Sequence, residues 1–213
     1  MSDDNPRKII EEHFQKGDYT GWFDKVYASG NVPWAIGKAH PLLTQWMAQH
    51  EISGAGKRAL VVGCGLGDDA EFLAQRAYNV TAFDISETAI AACQTRFPDT
   101  QVDYQVADLL NAPEAWGNAF DFVFESRTIQ ALPWHMSEDA MRAISHCVKV
   151  GGTLVVVCFG RDPEDDRRGI PWRLSHEDLA HFAHWGLQEK QFEDVQGNTR
   201  NFRVTYQKIK ATN

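Results

Sequence analysis

The chain has 213 residues, and its 43% of hydrophobic and 23% of charged residues are typical of a globular domain with a substantial core. The formal net charge of -8 disfavours nucleic acid and anionic membranes as partners, so a small-molecule partner is expected. No apolar run approaches the roughly 20 residues of a membrane span, and the first residues lack the features of a signal peptide.

The four cysteines, Cys64, Cys93, Cys147 and Cys158, lie far apart in sequence and form no C-x-x-C pair. Such spacing indicates free thiols in a reducing compartment, and the chain is therefore expected to be cytoplasmic. A monomer or a weak homodimer is expected.

The chain begins with a segment of helical and aromatic composition. Residues 6–15 are predicted to form a helix with apolar residues along one face. In the aromatic segment that follows, Trp22, Phe23 and Tyr27 are expected to pack on helices that flank a sheet. A second helix is predicted over 41–50, because proline suits its first position.

A glycine-rich turn follows the first predicted strand. Residues 59–62, Ala-Leu-Val-Val, are predicted to form a strand buried on both faces of a parallel sheet. Gly63, Gly65 and Gly67 follow at once, and a helix is predicted over 69–75. Glycines at this spacing let a ligand lie directly against main-chain N–H groups at the N-terminus of a helix.

The residue after the third glycine separates two classes of nucleotide site. The dinucleotide fingerprint G-x-G-x-x-G requires glycine at position 68, where this chain has Asp68. Asp68 and Asp69 would repel a pyrophosphate, and no basic residue lies beside the turn in sequence. The turn therefore favours a cationic or zwitterionic ligand, and a dehydrogenase is disfavoured.

Two further acids stand at the ends of predicted strands. A strand over 79–83 leads to Asp84, roughly 20 residues beyond the turn, where a carboxylate can accept hydrogen bonds from both hydroxyls of a ribose. A third strand over 102–106 leads to Asp108. Signals at three successive strand ends indicate one ligand site at the carboxyl edge of a parallel sheet.

The remainder of the chain alternates helices and strands, as a doubly wound fold requires. Ser86 is the predicted N-cap of a helix that extends to residue 96. The other predicted elements are a strand over 120–124, a helix over 137–147, a strand over 153–159, a helix capped by Ser175, and a hairpin formed by 187–195 and 201–209.

The glycine turn, Asp84 and Asp108 together resemble the motifs of class I S-adenosylmethionine-dependent methyltransferases. The resemblance implies an α/β fold with a doubly wound, seven-stranded, Rossmann-like sheet, helices on both faces and a C-terminal antiparallel hairpin. It implies S-adenosylmethionine as the cofactor, which carries a sulfonium and an ammonium group and no phosphate. The implied cofactor-binding residues are Gly63, Cys64, Gly65, Asp69, Asp84, Ile85, Ser86, Ala107, Asp108, Leu109, Glu125 and Ser126.

Residues 27–41 are similar to the N-terminal lid of the thiol, thiopurine and halide methyltransferase group, in which a tyrosine precedes a Pro-Trp pair and a glycine. This likeness implies that Trp34 also contacts the cofactor, because an indole face attracts a sulfonium through a cation–π interaction. Residues 1–50 would then form a helical extension and cofactor lid, and residues 51–213 the methyltransferase domain, within one structural domain.

The candidate catalytic residues follow the fourth and fifth strands. Methyl transfer from a sulfonium needs no acid, because a neutral thioether leaves, and a positive group near the pocket suffices for an anionic acceptor. Arg127 and Arg161 are candidates for that group, although many relatives have glycine where Arg127 stands. The alternative is a solvated arginine paired with Glu125 or Asp162. His135 is a candidate base for a hydroxyl or amine acceptor.

Two other features carry no predicted chemistry. Cys64 has no identifiable histidine or asparagine partner, so it is not predicted to be a nucleophile. His181 and His184 lie three residues apart, but no third ligand accompanies them and no metal site is predicted.

The sequence thus predicts an S-adenosylmethionine-dependent methyltransferase that acts on a small-molecule acceptor, such as a thiol, a halide or a related soft nucleophile. Two alternatives stay open. One is O- or N-methylation of a small metabolite or of a protein lysine. The other is a module that binds S-adenosylmethionine without turnover.

Overall fold

The computed structural model describes residues 6–50, 52–166 and 169–210. Its strands are β1 (Arg58–Val62), β2 (Asn79–Asp84), β3 (Asp103–Val106), β4 (Phe120–Ser126), β5 (Val148–Phe159), β6 (Leu187–Val195) and β7 (Asn201–Lys208). They form one sheet in the order β3-β2-β1-β4-β5-β7-β6. Strands β1 to β5 are parallel, and β7 runs antiparallel to both β5 and β6. Residues 1–5, which carry no predicted signal peptide, lie outside the described part.

The central strands are buried on both faces because their side chains alternate between two apolar clusters. In β1, Leu60 and Val62 pack into one cluster, whereas Ala59 and Val61 pack into the other. A strand of this kind has no polar face, which is why its sequence lacks the alternation of a half-exposed strand. The predicted strand is confirmed.

Helices cover both faces of the sheet. In the described residues they are α1 (Pro6–Gln15), α2 (Gly21–Ala28), α3 (Pro41–His50), α4 (Asp68–Ala74), α5 (Glu87–Arg96), α6 (Thr128–Ala131), α7 (Ser137–Cys147) and α8 (His176–Ala180). Helices α3, α4 and α5 pack on one face, and α6, α7 and α8 on the other. The predicted doubly wound fold with a C-terminal hairpin is confirmed. Among the described residues, no helix combines the length and the apolar character that crossing a bilayer requires.

Local sequence signals set most boundaries, with one exception. The Ser86 hydroxyl accepts a hydrogen bond from the Ala89 N–H at 3.1 Å, so the predicted N-cap of α5 is confirmed. Strand β5 begins at Val148 instead of residue 153, because Val148 pairs with Phe120 beyond a shift in register.

The carboxyl ends of β1, β2 and β4 open a crevice where the strand order reverses. From β1 the chain builds β2 and β3 on one side, and then crosses to β4 on the other side. Open α/β sheets bind their ligands at such a reversal. Helix α2 is held at this edge because the Asp24 carboxylate accepts hydrogen bonds from the Ser86 hydroxyl at 2.5 Å and the Thr88 N–H at 3.1 Å.

Arg203 fastens the start of α3 to the C-terminal hairpin. Its guanidinium is 2% exposed and donates two hydrogen bonds of 2.6 Å to the Glu193 carboxylate. It also donates to the Leu42 carbonyl at 2.7 Å and to the Gln49 side chain at 2.9 Å. The position of residues 40–42 at the crevice therefore depends on a buried arginine.

Replacing Arg203 is expected to destabilise the fold. Arg203→Met leaves Glu193 without its cation, so the free energy of unfolding should fall by about 3 kcal/mol, as when one partner of a buried pair is removed. Arg142→Met is the matched control, because Arg142 pairs with Asp139 on the exposed face of α7 and should lose less than about 1 kcal/mol. Urea unfolding measures both values, and equal losses would contradict the role given to Arg203.

Candidate active site

A cavity of about 1030 Å³ opens at the carboxyl ends of the central strands. Its volume is at the upper end of the roughly 300–1,000 Å³ typical of small-molecule sites, which leaves room for two ligands. The predicted site residues that line it are Trp34, Gly63, Cys64, Gly65, Asp69, Asp84, Ile85, Ala107, Asp108, Leu109, Ser126 and Arg127. Four other predicted residues, Ser86, Glu125, His135 and Arg161, do not line it.

The glycine turn presents bare main chain to this cavity. Gly63 and Gly65 have φ angles of +57° and +56°, in the left-handed region that favours glycine. A Cβ on Gly65 would lie 3.2 Å from the Tyr27 hydroxyl, and a Cβ on Gly63 would clash with the Thr128 hydroxyl. Both positions therefore favour glycine: Thr128 fills the space beside Gly63, and a side chain on Gly65 would crowd the Tyr27 hydroxyl.

Asp84 joins the end of β2 to the glycine turn. Its Oδ2 accepts a hydrogen bond from the Gly65 N–H, and its Oδ1 accepts one from the Ser86 N–H, both at 3.0 Å. The carboxyl is 5% exposed, and burial raises the pKa of Asp84 to about 6, an effect that these N–H groups partly offset. Each oxygen keeps a further acceptor site, so the carboxylate has the capacity to receive two ribose hydroxyls.

Asp68 and Asp69 begin α4 in different surroundings. Asp68 is paired with Arg96 through contacts of 2.9 and 3.1 Å, and Arg96 also donates to the Leu66 carbonyl. A basic residue therefore does lie beside the turn in space, although none does in sequence, because Arg96 is the last residue of α5 and α5 packs next to the turn. Asp69 lines the cavity and accepts a hydrogen bond from the His40 main-chain N–H at 2.6 Å, while burial raises the pKa of Asp69 to about 6. Its carboxylate disfavours a phosphate and suits an ammonium group.

Aromatic residues of the N-terminal segment line the same cavity. The Trp34 Nε1–H donates a hydrogen bond to the Tyr27 hydroxyl at 3.1 Å, and the two rings are nearly perpendicular at 5.6 Å. The Trp22 ring meets Trp34 edge-on at 5.9 Å. Trp22, Phe23 and Tyr27 line the cavity as well, which their predicted packing on flanking helices did not include.

Arg127 follows β4 and lines the cavity in a strained conformation. Its φ of +66° is in the left-handed region, which costs a residue with a side chain roughly 1–2 kcal/mol. The guanidinium lies 4.1 Å above the Phe159 ring, 3.2 Å from His40 Nε2 and 3.4 Å from Asn201 Oδ1. Burial lowers the pKa of Arg127. Glycine would carry no such strain, so the arginine at this position is a candidate functional residue.

Comparison with known proteins relates this arrangement to methyltransferases. A family model described as a methyltransferase domain matches residues 59–152. The chain is 33% identical over 127 residues to a ubiquinone biosynthesis O-methyltransferase of Dechloromonas aromatica, covering 59% of this chain and 53% of that protein. It is 27% identical over 167 residues to the probable thiol methyltransferase 2 of Arabidopsis thaliana, covering 78% and 71%.

A solved structure shares the fold over nearly the whole chain. The 1,6-didemethyltoxoflavin-N1-methyltransferase of Burkholderia thailandensis, crystallised with S-adenosylhomocysteine, superimposes with a TM-score of 0.72 and 15% identity, covering 95% of this chain and 88% of that one. The comparisons support the predicted resemblance to class I S-adenosylmethionine-dependent methyltransferases, because residues 59–152 match a methyltransferase domain and the fold is shared over nearly the whole chain. The match to a methyltransferase domain supports the predicted cofactor, S-adenosylmethionine. The chain matches about half the length of the ubiquinone relatives, at 53%.

Two residues that the methyltransferase resemblance implies as cofactor contacts hold the starts of helices. Glu125 Oε1 accepts hydrogen bonds from the Thr128 N–H at 2.6 Å and the Ile129 N–H at 3.2 Å, and burial raises the pKa of Glu125 to about 7. The Ser86 hydroxyl caps α5. These side chains position neighbouring segments, and a cofactor contact by either residue stays a prediction.

Two candidate catalytic residues lie away from the main cavity. The His135 ring is 5.8 Å from the Tyr19 ring and lines a smaller cavity of about 250 Å³, so its placement gives no support to its prediction as a base. Arg161 is 4% exposed and donates to the Asp178 carboxylate at 2.7 Å. The expectations that Arg161 steers an acceptor or forms a solvated pair with Asp162 are both wrong, because the buried Asp178 engages it.

The cysteines and histidines near the site show no reactive arrangement. The neighbouring Cys93 thiol and burial raise the pKa of Cys64 well above its ordinary value, so this thiol stays neutral. On the surface, His181 Nδ1 lies 3.0 Å from the Glu138 carboxylate. The described residues contain no cluster of three side chains that would hold a metal ion.

Sequence reasoning missed His40 and undervalued Tyr27. His40 lies within the segment that resembles the lid but is not one of its motif residues, and its contact with Arg127 spans 87 positions of sequence. The Tyr27 hydroxyl stands over Gly65, which no local pattern indicates. Only tertiary packing brings these side chains to the turn.

Replacing Asp84 is expected to weaken cofactor binding. Asp84→Asn keeps the size of the side chain but removes its charge, so affinity for S-adenosylhomocysteine should fall by about 1.5–3 kcal/mol for each charge-assisted hydrogen bond lost. Asp99→Asn, on the exposed surface beyond α5, is the matched control and should bind normally. Isothermal titration measures both affinities, and unchanged binding by Asp84→Asn would remove the ribose assignment.

The same variant should change the pH dependence of stability. The pKa of Asp84 is raised on folding, so its contribution is fully present below the unfolded pKa and is lost as pH rises through about 6. Between about pH 5 and about pH 7.5, the natural chain should lose about 1.4 kcal/mol of unfolding free energy more than Asp84→Asn does. The opposite contribution of His40, whose pKa is lowered by burial, cancels because both proteins contain it. Urea unfolding measures both proteins across this pH range. If their unfolding free energies changed equally with pH, the ionisation of Asp84 would not be opposed by its burial.

Proposed function

We propose that this chain transfers a methyl group from S-adenosylmethionine to a small-molecule acceptor, and that the acceptor is a thiol, a halide or a related soft nucleophile. One observation carries the proposal. A single cavity contains both the glycine turn with Asp84 and a wall of apolar side chains that could hold a second, uncharged or weakly hydrated molecule.

The residues at the glycine turn fit the cofactor. Asp84 has the acceptor capacity for a ribose, and Asp69 suits the ammonium group of the methionine end. The faces of Trp34 and Tyr27 suit a sulfonium. When bound, S-adenosylmethionine supplies a methyl group on that sulfonium.

The apolar wall comes from three segments of the chain. It consists of side chains from α2, from α6 and the residues after it, and from the loop that precedes α8: Phe23, Ala131, Leu132, Met136, Ile170 and Pro171. Among the described lining residues, the ionisable groups are Tyr27, which also lies on α2, and, on other segments, Lys38, His40, Cys64, Asp68, Asp69, Asp84, Asp108 and Arg127. The wall itself therefore offers no described group that takes a proton.

Because the apolar wall has no group that takes a proton, the cavity favours an acceptor that needs no strong base. A thiol ionises readily and a halide is already an anion, whereas an amine or an alcohol requires a positioned proton acceptor. His40 is poorly suited to that task, because burial and the nearby Arg127 lower its pKa to about 4. The chain's contribution is to hold both reactants close together in a pocket shielded from water.

O-methylation is the second candidate, because relatives at 33% identity are named ubiquinone biosynthesis O-methyltransferases. N-methylation, a lysine acceptor and a binding module without turnover are the remaining alternatives. We also propose that the described residues of the 1–50 extension act as a lid over the cofactor. The cytoplasmic location, the monomer or weak homodimer, and the lack of nucleic-acid or membrane partners stay predictions.

An acceptor panel tests the proposal. The purified chain is incubated with S-adenosylmethionine and either thiophenol, iodide, phenol or aniline, and the S-adenosylhomocysteine formed is measured. We expect turnover with thiophenol or iodide to exceed turnover with phenol and aniline. Preference for phenol would favour the O-methyltransferase alternative. Binding of S-adenosylhomocysteine without any turnover would favour the binding module.

A variant of the apolar wall locates the acceptor. Ala131→Phe adds a ring to the wall, so KM for thiophenol should rise about tenfold or more, which corresponds to about 1.4 kcal/mol, while affinity for S-adenosylhomocysteine stays unchanged. Ala91→Phe, on the exposed surface of α5, is the matched control. An unchanged KM for Ala131→Phe would place the acceptor elsewhere.

A further inference from the structure

The protonation state of His40 follows from its hydrogen bonds. Its Nδ1 lies 3.1 Å from the Leu42 main-chain N–H and its Nε2 lies 3.2 Å from Arg127 Nη2, and both neighbours can only donate. We assign the acceptor nitrogen to Nδ1, because the Leu42 N–H is fixed in the backbone whereas the arginine side chain can turn to another acceptor. Burial and the nearby charge of Arg127 lower the pKa of His40 to about 4, so the ring is neutral near neutral pH. A neutral imidazole carries one proton, and here that proton must lie on Nε2.

In this tautomer, two hydrogen-bond donors face each other. His40 Nε2 lies 3.2 Å from Arg127 Nη2, and both atoms carry N–H groups without an acceptor between them. The contact is therefore not a hydrogen bond, although its length is ordinary for one. Both residues line the main cavity, so an acceptor atom can enter beside the pair and receive hydrogen bonds from both.

Arg127 has unused donors beyond this contact. Its Nε is buried and has no hydrogen-bond partner among the described residues. Its closest acceptor is Asn201 Oδ1, at a long 3.4 Å from Nη2. No ion pair in the described part of the chain joins Arg127 to a carboxylate. A partly buried guanidinium with unpaired donors costs free energy, which a bound anion would recover.

The surroundings hold Arg127 in this position. The Phe159 ring supports the guanidinium at 4.1 Å, and the left-handed backbone at φ +66° directs the side chain from the end of β4. Left-handed residues with side chains cluster at ligand sites, where the neighbouring structure maintains the strain.

We propose that His40 and Arg127 form an anion subsite, in which one carboxylate-sized anion accepts hydrogen bonds from His40 Nε2–H and from the guanidinium. Such an anion has two sources: the carboxylate at the methionine end of the cofactor, or an anionic group of the acceptor. The second source rests on the proposed function, whereas the first rests only on cofactor binding. The neighbouring Asp69, whose carboxylate suits an ammonium, would complete a site for an amino-acid end.

Matched substitutions separate the subsite from the fold. His40→Asn keeps an acceptor for the Leu42 N–H but lacks the Nε2 donor. Arg127→Gly removes the guanidinium and also relieves the left-handed strain, so this variant should fold with a melting temperature at or above that of the natural chain. Arg142→Met, on the exposed face of α7, controls for the loss of one positive charge.

Two cofactor fragments identify the source of the anion. S-adenosylhomocysteine has the amino-acid end, and 5′-methylthioadenosine has the same adenosine and thioether without it. If the cofactor supplies the anion, both site variants should weaken S-adenosylhomocysteine about tenfold or more, without changing 5′-methylthioadenosine. If the acceptor supplies the anion, the affinities for S-adenosylhomocysteine and 5′-methylthioadenosine should stay unchanged in both site variants. In that case KM should rise for mercaptoacetate, which has a carboxylate, and not for mercaptoethanol, which has none.

Two outcomes of the binding and kinetic measurements would contradict the anion subsite. Unchanged S-adenosylhomocysteine affinity without a change in KM would overturn the subsite, as would equal weakening of both fragments. Nitrogen NMR of the His40 ring in the free protein is an independent readout. We expect a proton on Nε2 and none on Nδ1, and the opposite tautomer or a doubly protonated ring near neutral pH would overturn the proposal. The titrations and the NMR need no methyl transfer, so absence of turnover would contradict the proposed function without deciding the subsite.

Discussion

The hydrogen bond from the Gly65 N–H to the Asp84 carboxylate is the contact on which the site depends. It ties the turn after β1 to the end of β2, so the bare main chain and the acid face one cavity. The arrangement needs a left-handed residue at position 65 and a buried charge at position 84. The buried charge does not stabilise the protein without a ligand, because burial opposes ionisation of Asp84. A bound ribose would offset that cost by adding donors to the carboxylate.

Several buried titratable side chains lie at the carboxyl edge of the sheet, whereas the clusters on its two faces are apolar. Asp69, Asp84, Glu125, His40 and Arg127 all have pKa values shifted by burial, and four of them line the cavity. By contrast, the two clusters that flank the sheet are apolar. Shifted titratable groups in a cleft are typical of ligand sites, and here they lie where the strand order reverses. Fold and site are thus separable: the clusters stabilise the sheet, and the edge carries the binding chemistry.

The sequence predicted the features that depend on local pattern. Continuous apolar strands, the Ser86 cap of α5 and the glycine turn follow from short-range rules, and all three are confirmed. Features that depend on distant packing could not be predicted. Arg96 returns to the turn only because α5 packs beside it, and Arg161 is buried only because α8 brings Asp178 to it. A sequence motif describes only neighbours along the chain, whereas the contacts of Arg96 and Arg161 depend on how the helices pack on the sheet.

The central claim is that this glycine turn serves an adenosyl cofactor without phosphate, and isothermal titration of the natural chain with S-adenosylhomocysteine and with NADH tests it most directly. We expect S-adenosylhomocysteine to bind and NADH to give no measurable heat at the same concentrations, because Asp69 faces the cavity at the helix N-terminus where a pyrophosphate would have to lie. Binding of NADH, with or without S-adenosylhomocysteine, would contradict this account of the turn.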